Sequence, residues 1–239
     1  MLICLIPSTQ IQPILNMNNL TAIQDSPTDL VQKIKELNNF MGNTPLYPIR
    51  KLHADNEVRI FAKMEWQQFG GSVKARPAYR IIRDAVENGK LDGNRRLLDA
   101  SSGNTGIAYA HIGASLGIPV TLCLPENASD ERKDILKSLG AELRFTSRMG
   151  GTDEAQKIAR ELYESNPDTY FYADQYSNES NWKAHFDSTG PEIWEQTKGT
   201  ITHFITGLGT TGTFMGTGQR LKDYNPDIRL ISIQPELAM

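Results

Sequence analysis

Cysteine is nearly absent: the 239 residues hold two, Cys4 and Cys123, far apart and without metal-ligand spacing. That excludes a disulfide-stapled scaffold and suits a reducing compartment, so a cytoplasmic location is expected. Long runs of one charge are missing as well. The 25 Lys and Arg and 28 Asp and Glu are interspersed, for a net charge of −3. Neither nucleic acid nor an anionic membrane is therefore an expected partner. No stretch reaches the ~18 apolar residues of a membrane span. The opening "MLICLIP" is apolar but lacks the basic and long hydrophobic regions of a signal peptide. His53, His111, His185 and His203 are scattered without ligand spacing, so surface or satisfied core roles are expected and no metal. Repeats and low-complexity tracts are absent too.

What is present is an ordinary globular composition, 39% hydrophobic and 22% charged, long enough for one large core or two small ones. Residues 1–26, rich in Gln, Asn and Pro, read as a poorly ordered leader in which Met17 is an alternative start. From residue 27 the periodicity is clear. "SPTDLVQKIKELNNFMG" predicts a helix and "VRIFAKM" (58–64) a strand. A helix over 74–87 follows, in which Pro77 must lie near the start. Strands at 95–100, "IPVTLCLP", "AELRFT", "TYFYA", "THFITG" and "IRLISIQP" then alternate with helices. Those helices end at Gly117, cover 129–139, 152–165 and 179–197, and run to about Tyr224. Cys123, within an apolar strand, and Tyr109 and Phe214, on helices, read as packing residues. Strands alternating with helices of ten or more residues imply parallel sheets with right-handed crossovers. The fold class is α/β, with ligands expected where strand ends run into helix N-termini.

Three such loops carry unusual chemistry. "GGSVK" sets Lys74 on the first turn of a helix, where the macrodipole and burial both disfavour an ammonium ion. The plain reading is a solvent-facing side chain; the functional one is a nucleophile and general base of lowered pKa. "SSGNTG" follows a strand and offers Ser101, Ser102 and Thr105 hydroxyls, the Asn104 amide and helix N–H groups, a cradle for a carboxylate. Its plain reading is a polar turn. "GLGTTGTF" offers free N–H groups and three threonine hydroxyls to a phosphate. It also matches the dinucleotide pattern through Gly207, Gly209 and Gly212, with Glu236 placed as a ribose acid, so a nicotinamide-dependent oxidoreductase stays open as an alternative. Together, one lysine for an aldehyde, one loop for a carboxylate and one for a phosphate describe pyridoxal phosphate holding an amino acid.

"GNTPL" (42–46), "GGSVKARPA" (70–78), "SSGNTGIA" (101–108), "TGPEIW" (189–194) and "GTTGT" (209–213) resemble the cysteine synthase (O-acetylserine sulfhydrylase) family. These are fold type II pyridoxal-phosphate enzymes of the tryptophan synthase β-like superfamily, and the motifs occur here in family order. The resemblance implies two parallel-sheet domains with helices on both faces. The first would cover 27–173, and 174–239 would begin a second that the chain leaves incomplete. It implies that Lys74 is both the Schiff-base lysine and the catalytic acid–base. Asn104 matches the residue that bonds the cofactor ring hydroxyl. Gly209, Thr210, Thr211, Gly212 and Thr213 match the phosphate loop. Ser101, Ser102, Thr105 and Gln175 match the residues that hold the substrate carboxylate. The implied reaction is β-replacement on an activated serine such as O-acetylserine by a sulfur donor, in a homodimer. Thr211, within "GTTGT", leans towards the B-type group. Cystathionine β-synthases share "GSVK" and "SGNTG" and remain an alternative, as does a non-catalytic homologue.

The sequence departs from the family in three ways. Ala75 stands where the family has Asp, and Gln67-Gln68 where it has Asn-Pro. The chain also stops well before the family's usual end, so a fragment or truncated product is expected, which binds the cofactor poorly and aggregates when isolated.

Overall fold

The structure, a computed structural model, describes residues 27–51 and 58–234. The leader at 1–26, with Cys4 and Met17, and also His53 and Glu236, lie outside the described residues.

Helix α1 (Pro27–Leu37) buries Leu30, Ile34 and Leu37, the spacing of one helical face. Strands β1 (Leu46–Ile49) and β2 (Ile60–Lys63) pair antiparallel, Leu46 opposite Lys63. This departs from the all-parallel expectation. Too few residues separate the two strands for a crossover helix, which parallel pairing needs.

The main sheet is parallel, four-stranded and ordered β5-β4-β3-β6. Its strands are β3 (Arg96–Ala100), β4 (Val120–Pro125), β5 (Glu142–Thr146) and β6 (Tyr170–Tyr172). Alternate residues of β3 enter different cores, as the pleat requires. Leu97 joins the cluster beneath α2 (Ala75–Glu87) and α3 (Asn104–Leu116), with Ile81, Ile82 and Ile112. Leu98 joins Ala100, Cys123, Ala155 and Ala159 beneath α5 (Gly151–Ser165). Both faces are covered, which is why β4 reads as a continuous apolar run. Helix α4 (Asp130–Ser138) links β4 to β5 with only Leu136 fully buried.

Two helices, α6 (Ser180–Ala184) and α7 (Gly190–Gln196), continue through a π-helical turn at His185–Thr189. The predicted helix over 179–197 is thus a single rod with one widened turn. A second parallel sheet pairs β7 (His203–Gly207) with β8 (Arg229–Ile233) across α8 (Gly212–Tyr224). No helix among the described residues is long and apolar enough to cross a membrane.

The order of the main sheet decides where a ligand can sit. From β3 the chain builds outwards through β4 and β5, then returns to place β6 on the other side of β3. The crevice at the carboxyl ends of β3 and β6 is therefore the switch point of the sheet. Ser101 and Gln175 follow those two strand ends.

Candidate active site

Lys74 immediately precedes α2. The chain reaches it through Gly70 and Gly71, both in the left-handed region (φ 91° and 76°), and the Lys74 N–H donates to Ser72 Oγ at 3.2 Å. Behind it α2 buries Ala78, Ile81, Ile82 and Ala85, which pins the helix start against the core. Burial lowers the pKa of the Lys74 ammonium. A Cβ built on Gly209 would lie 3.9 Å from Lys74 Nζ, so the loop before α8 passes directly beside the lysine. Ala75 is fully buried, and no acidic residue stands in the first turn of α2. No carboxylate there offsets the effect of burial on its neighbour.

The loop after β3 is held by its own serine. Ser101 Oγ accepts the N–H groups of Gly106 (3.0 Å) and Gly103 (3.3 Å), closing the start of α3. The hydroxyls of Ser102 and Thr105 and the amide of Asn104 make no hydrogen bond with the described residues. Gln175 lies against this loop, its Nε2 donating to Ala100 O at 2.9 Å and its backbone N–H to Asp99 Oδ2 at 3.2 Å. Asp99 is buried. Burial raises its carboxyl to about 7, against the opposing bonds from the Ala100 and Gln175 N–H groups.

The loop before α8 joins the same cluster through a residue that the sequence reading passed over. Asn181 Nδ2 donates to Gln175 O (2.7 Å) and to Thr210 Oγ1 (2.9 Å), tying the end of β6 to that loop. A Cβ at Gly212 would collide with Asn181 Oδ1, so the glycine is needed for this approach. Thr211 caps α8 with φ 65°, and the first helical bond, Met215 N–H to Thr211 O, leaves the earlier N–H groups of the turn open. Thr213 Oγ1 lies 3.2 Å from His185 Nε2. A cavity of about 210 Å³ opens beside the loop, lined by Tyr176, Asn181, Trp182, Thr210, Thr211 and Met215 among others.

A buried ion cluster fixes the elements around Lys74. Arg76 Nε and Nη2 donate to Glu65 at 2.8 Å, and Nη1 and Nη2 donate to Glu192 at 2.7 and 2.8 Å. Lys63 Nζ adds a 2.6 Å bond to Glu192, and the Asn43 N–H a 2.9 Å bond. Burial pushes the Glu192 carboxyl up, but Arg76 and Lys63 together hold it at about 2. Gln68, whose family counterpart differs, accepts the Gly42 N–H at 3.0 Å. "GNTPL", "GGSVKARPA" and "TGPEIW" thus meet in one cluster. The sequence reading did not find this cluster, because partners 116 residues apart give no spacing to read. Among the described residues, no group of three His, Cys, Asp or Glu could hold a metal ion.

The three loops expected to face a ligand therefore converge at one end of the sheets. Comparisons with known proteins show the family. A curated cysteine synthase of Aquifex aeolicus is 52% identical over 198 residues, 82% of this chain and 61% of the relative. Cysteine synthase B of Pseudomonas aeruginosa is 40% identical over 195 residues, 82% of this chain and 64% of the relative. The solved cysteine synthase (OASS) of Entamoeba histolytica superposes with a TM-score of 0.78 at 30% identity, covering 95% of this chain and 64% of that one. The chain thus spans somewhat under two thirds of the length of these relatives. A family profile described as "Pyridoxal-phosphate dependent enzyme" matches residues 37–239, and the chain belongs to that family.

Proposed function

We propose that this chain carries the cofactor and substrate sites of a pyridoxal-phosphate enzyme that makes L-cysteine from an activated serine and a sulfur donor. The observation that carries it is the position of Lys74, its ammonium disfavoured by burial and its Nζ beside Gly209 of the glycine-threonine loop. The residues present fit the cofactor. The open N–H groups at the start of α8, with the hydroxyls of Thr210, Thr211 and Thr213, suit its phosphate. Lys74 suits its aldehyde, and the uncommitted Asn104 amide suits its ring hydroxyl. When bound, pyridoxal phosphate supplies the electron sink that stabilises negative charge at the substrate Cα.

The chain's own residues do the rest. Ser102, Thr105 and the N–H groups opening α3 hold the substrate carboxylate, with Ser101 shaping the loop from behind and Gln175 closing it from the β6 side. Lys74, uncharged more readily than an ordinary lysine, takes a proton from Cα. The Cβ–O bond breaks so that the acyloxy group leaves as a carboxylate, and the lysine returns the proton to Cα after the sulfur nucleophile has added at Cβ. Gly209 leaves room for this side chain between the two sites. In this reading 27–173 form the first domain and 174–239 belong to a second, and the working unit is a homodimer in the cytoplasm. The B-type assignment rests on Thr211 and on the likeness to cysteine synthase B. No observation favours the dinucleotide alternative.

The test is direct. The purified protein is incubated with pyridoxal phosphate, reduced with borohydride and mapped by mass spectrometry. A pyridoxyl tag on Lys74 is expected, with cysteine formed from O-acetylserine and sulfide and abolished in Lys74→Ala. A tag spread over surface lysines, with no spectral change on adding O-acetylserine, would sink the reading.

A further inference from the structure

His185 sits in the π-helical turn between α6 and α7, fully buried. Its Nδ1 lies 2.9 Å from Thr189 Oγ1 and its Nε2 3.2 Å from Thr213 Oγ1. The ring is neutral. Burial, and then the charges of Arg76 and Lys74, hold its pKa down at about 3. A neutral imidazole offers one donor and one acceptor, so the two bonds must run in the same sense around the ring.

Counting hydrogens decides which sense. Were the hydrogen on Nδ1, Thr189 would accept it, and the hydroxyl hydrogen of Thr189 would be left without a partner. Thr189 is buried, and the His185 bond is its side chain's one hydrogen bond among the described residues. Such an orphaned donor is costly. With the hydrogen on Nε2, Thr189 donates to Nδ1, and Nε2 donates to Thr213. Both buried groups are then satisfied, and the hydroxyl hydrogen of Thr213 stays uncommitted. Thr213 is half-buried in the first turn of α8, among the open N–H groups.

We propose that Thr189, His185 and Thr213 form a one-way hydrogen-bond relay that fixes the Thr213 hydroxyl as a donor to a phosphate at the start of α8. The proposal rests on the reading of that turn as the cofactor phosphate site. A phosphate dianion only accepts hydrogen bonds. A Thr213 whose hydrogen pointed at His185 would instead turn lone pairs towards it. His185 is a positioning residue, acting on the ligand through Thr213, and the π-helical turn is what places it at that distance, as such turns often do beside sites.

Two measurements test this. In 15N-labelled protein without added cofactor, long-range 1H–15N spectra report the His185 tautomer. The neutral Nε2–H form is expected from about pH 8 to about pH 5; an Nδ1–H form, or an imidazolium at about pH 6, overturns the relay. Pyridoxal phosphate is then titrated, by fluorescence and 31P NMR, into the parent protein, His185→Leu, His185→Gln, Thr213→Val and the His185→Leu/Thr213→Val double variant. His185→Leu and Thr213→Val are each expected to weaken binding about tenfold or more. The double variant should bind no worse than Thr213→Val alone, and His185→Gln, which keeps a donor, should bind nearly as well as the parent. Fully additive losses overturn the relay, because Thr213 would then be acting without His185. If the parent protein binds no pyridoxal phosphate, the phosphate-site reading fails, while the tautomer still decides the direction of the relay by itself.

Discussion

At Thr211 the backbone adopts φ 65° at the residue that caps α8. A β-branched side chain is poorly suited to that left-handed conformation, which costs roughly 1–2 kcal/mol for an L-residue. Strain of this kind collects at ligand sites, where the surroundings hold it in place. Thr211→Gly is expected to raise stability by about 1 kcal/mol, read as a higher urea midpoint at unchanged slope. An unchanged midpoint would show that contacts of the threonine side chain compensate the strain. Gln68 and Asn181 make a related point at this scale. Neither belongs to a chemical motif in the usual sense, yet Gln68 joins "GNTPL" to the lysine loop and Asn181 joins Gln175 to the α8 loop. Their amides hold loops in place, and a single sequence gives no sign of which amides do so.

Among the elements, α2 depends on its ion contacts with α7 and with Glu65 in the turn after β2, besides its own apolar face. Arg76 is the centre of that contact, bidentate to Glu65 and to Glu192 in a buried setting. Removing one partner from a buried ion cluster leaves charge uncompensated, typically costing 3–5 kcal/mol. Arg76→Leu is expected to destabilise the fold by about 3 kcal/mol in chemical denaturation, somewhat eased because Lys63 still reaches Glu192. Arg76→Lys should recover little of this, since a single ammonium cannot match two bidentate carboxylates. A cost below ~1 kcal/mol for Arg76→Leu would mean that the cluster contributes register and no net stability.

Over the whole molecule, two buried groups give opposite pH dependences. His185 has a folded pKa of about 3 against an ordinary 6.5, so between these values only the unfolded chain carries the extra proton. Its contribution is complete above pH 6.5 and is lost as pH falls. Asp99 has a folded pKa of about 7 against an ordinary 3.8, so between these values only the folded chain carries the proton. Its contribution is complete below pH 3.8 and is lost as pH rises through 7. In the shared window each slope approaches about 1.4 kcal/mol per pH unit, with opposite sign. The parent protein should therefore show a nearly flat stability between about pH 4 and 6.5. His185→Gln should lose stability as pH rises through that range, and Asp99→Asn should gain it, both read from denaturation midpoints at several pH values. Parallel slopes in the two variants would refute the opposition.

Much of this molecule was legible in its sequence. The main-sheet strands, the lysine turn and the three loops follow from apolar periodicity and glycine placement, which are local properties. The short β1 was not legible, because "LYPI" has four residues and a proline and draws its definition from pairing with β2. Nor were the Arg76 cluster and the contacts of His185 and Asn181, which join segments far apart in the chain. The antiparallel β1–β2 pair was missed because alternation of strands and helices was taken to hold for the whole chain.

The widened turn at His185–Thr189 has a consequence best put as rotational phase. In an unbroken α-helix, residues seven apart face nearly the same way. His185 and Glu192 are seven apart, yet one meets Thr213 of α8 and the other Arg76 of α2. The π turn offsets the phase between them, so that one rod addresses two neighbours in different directions. Insertions or deletions in 185–189 would thus change which partner the second half of the rod meets, even where its helicity survived intact.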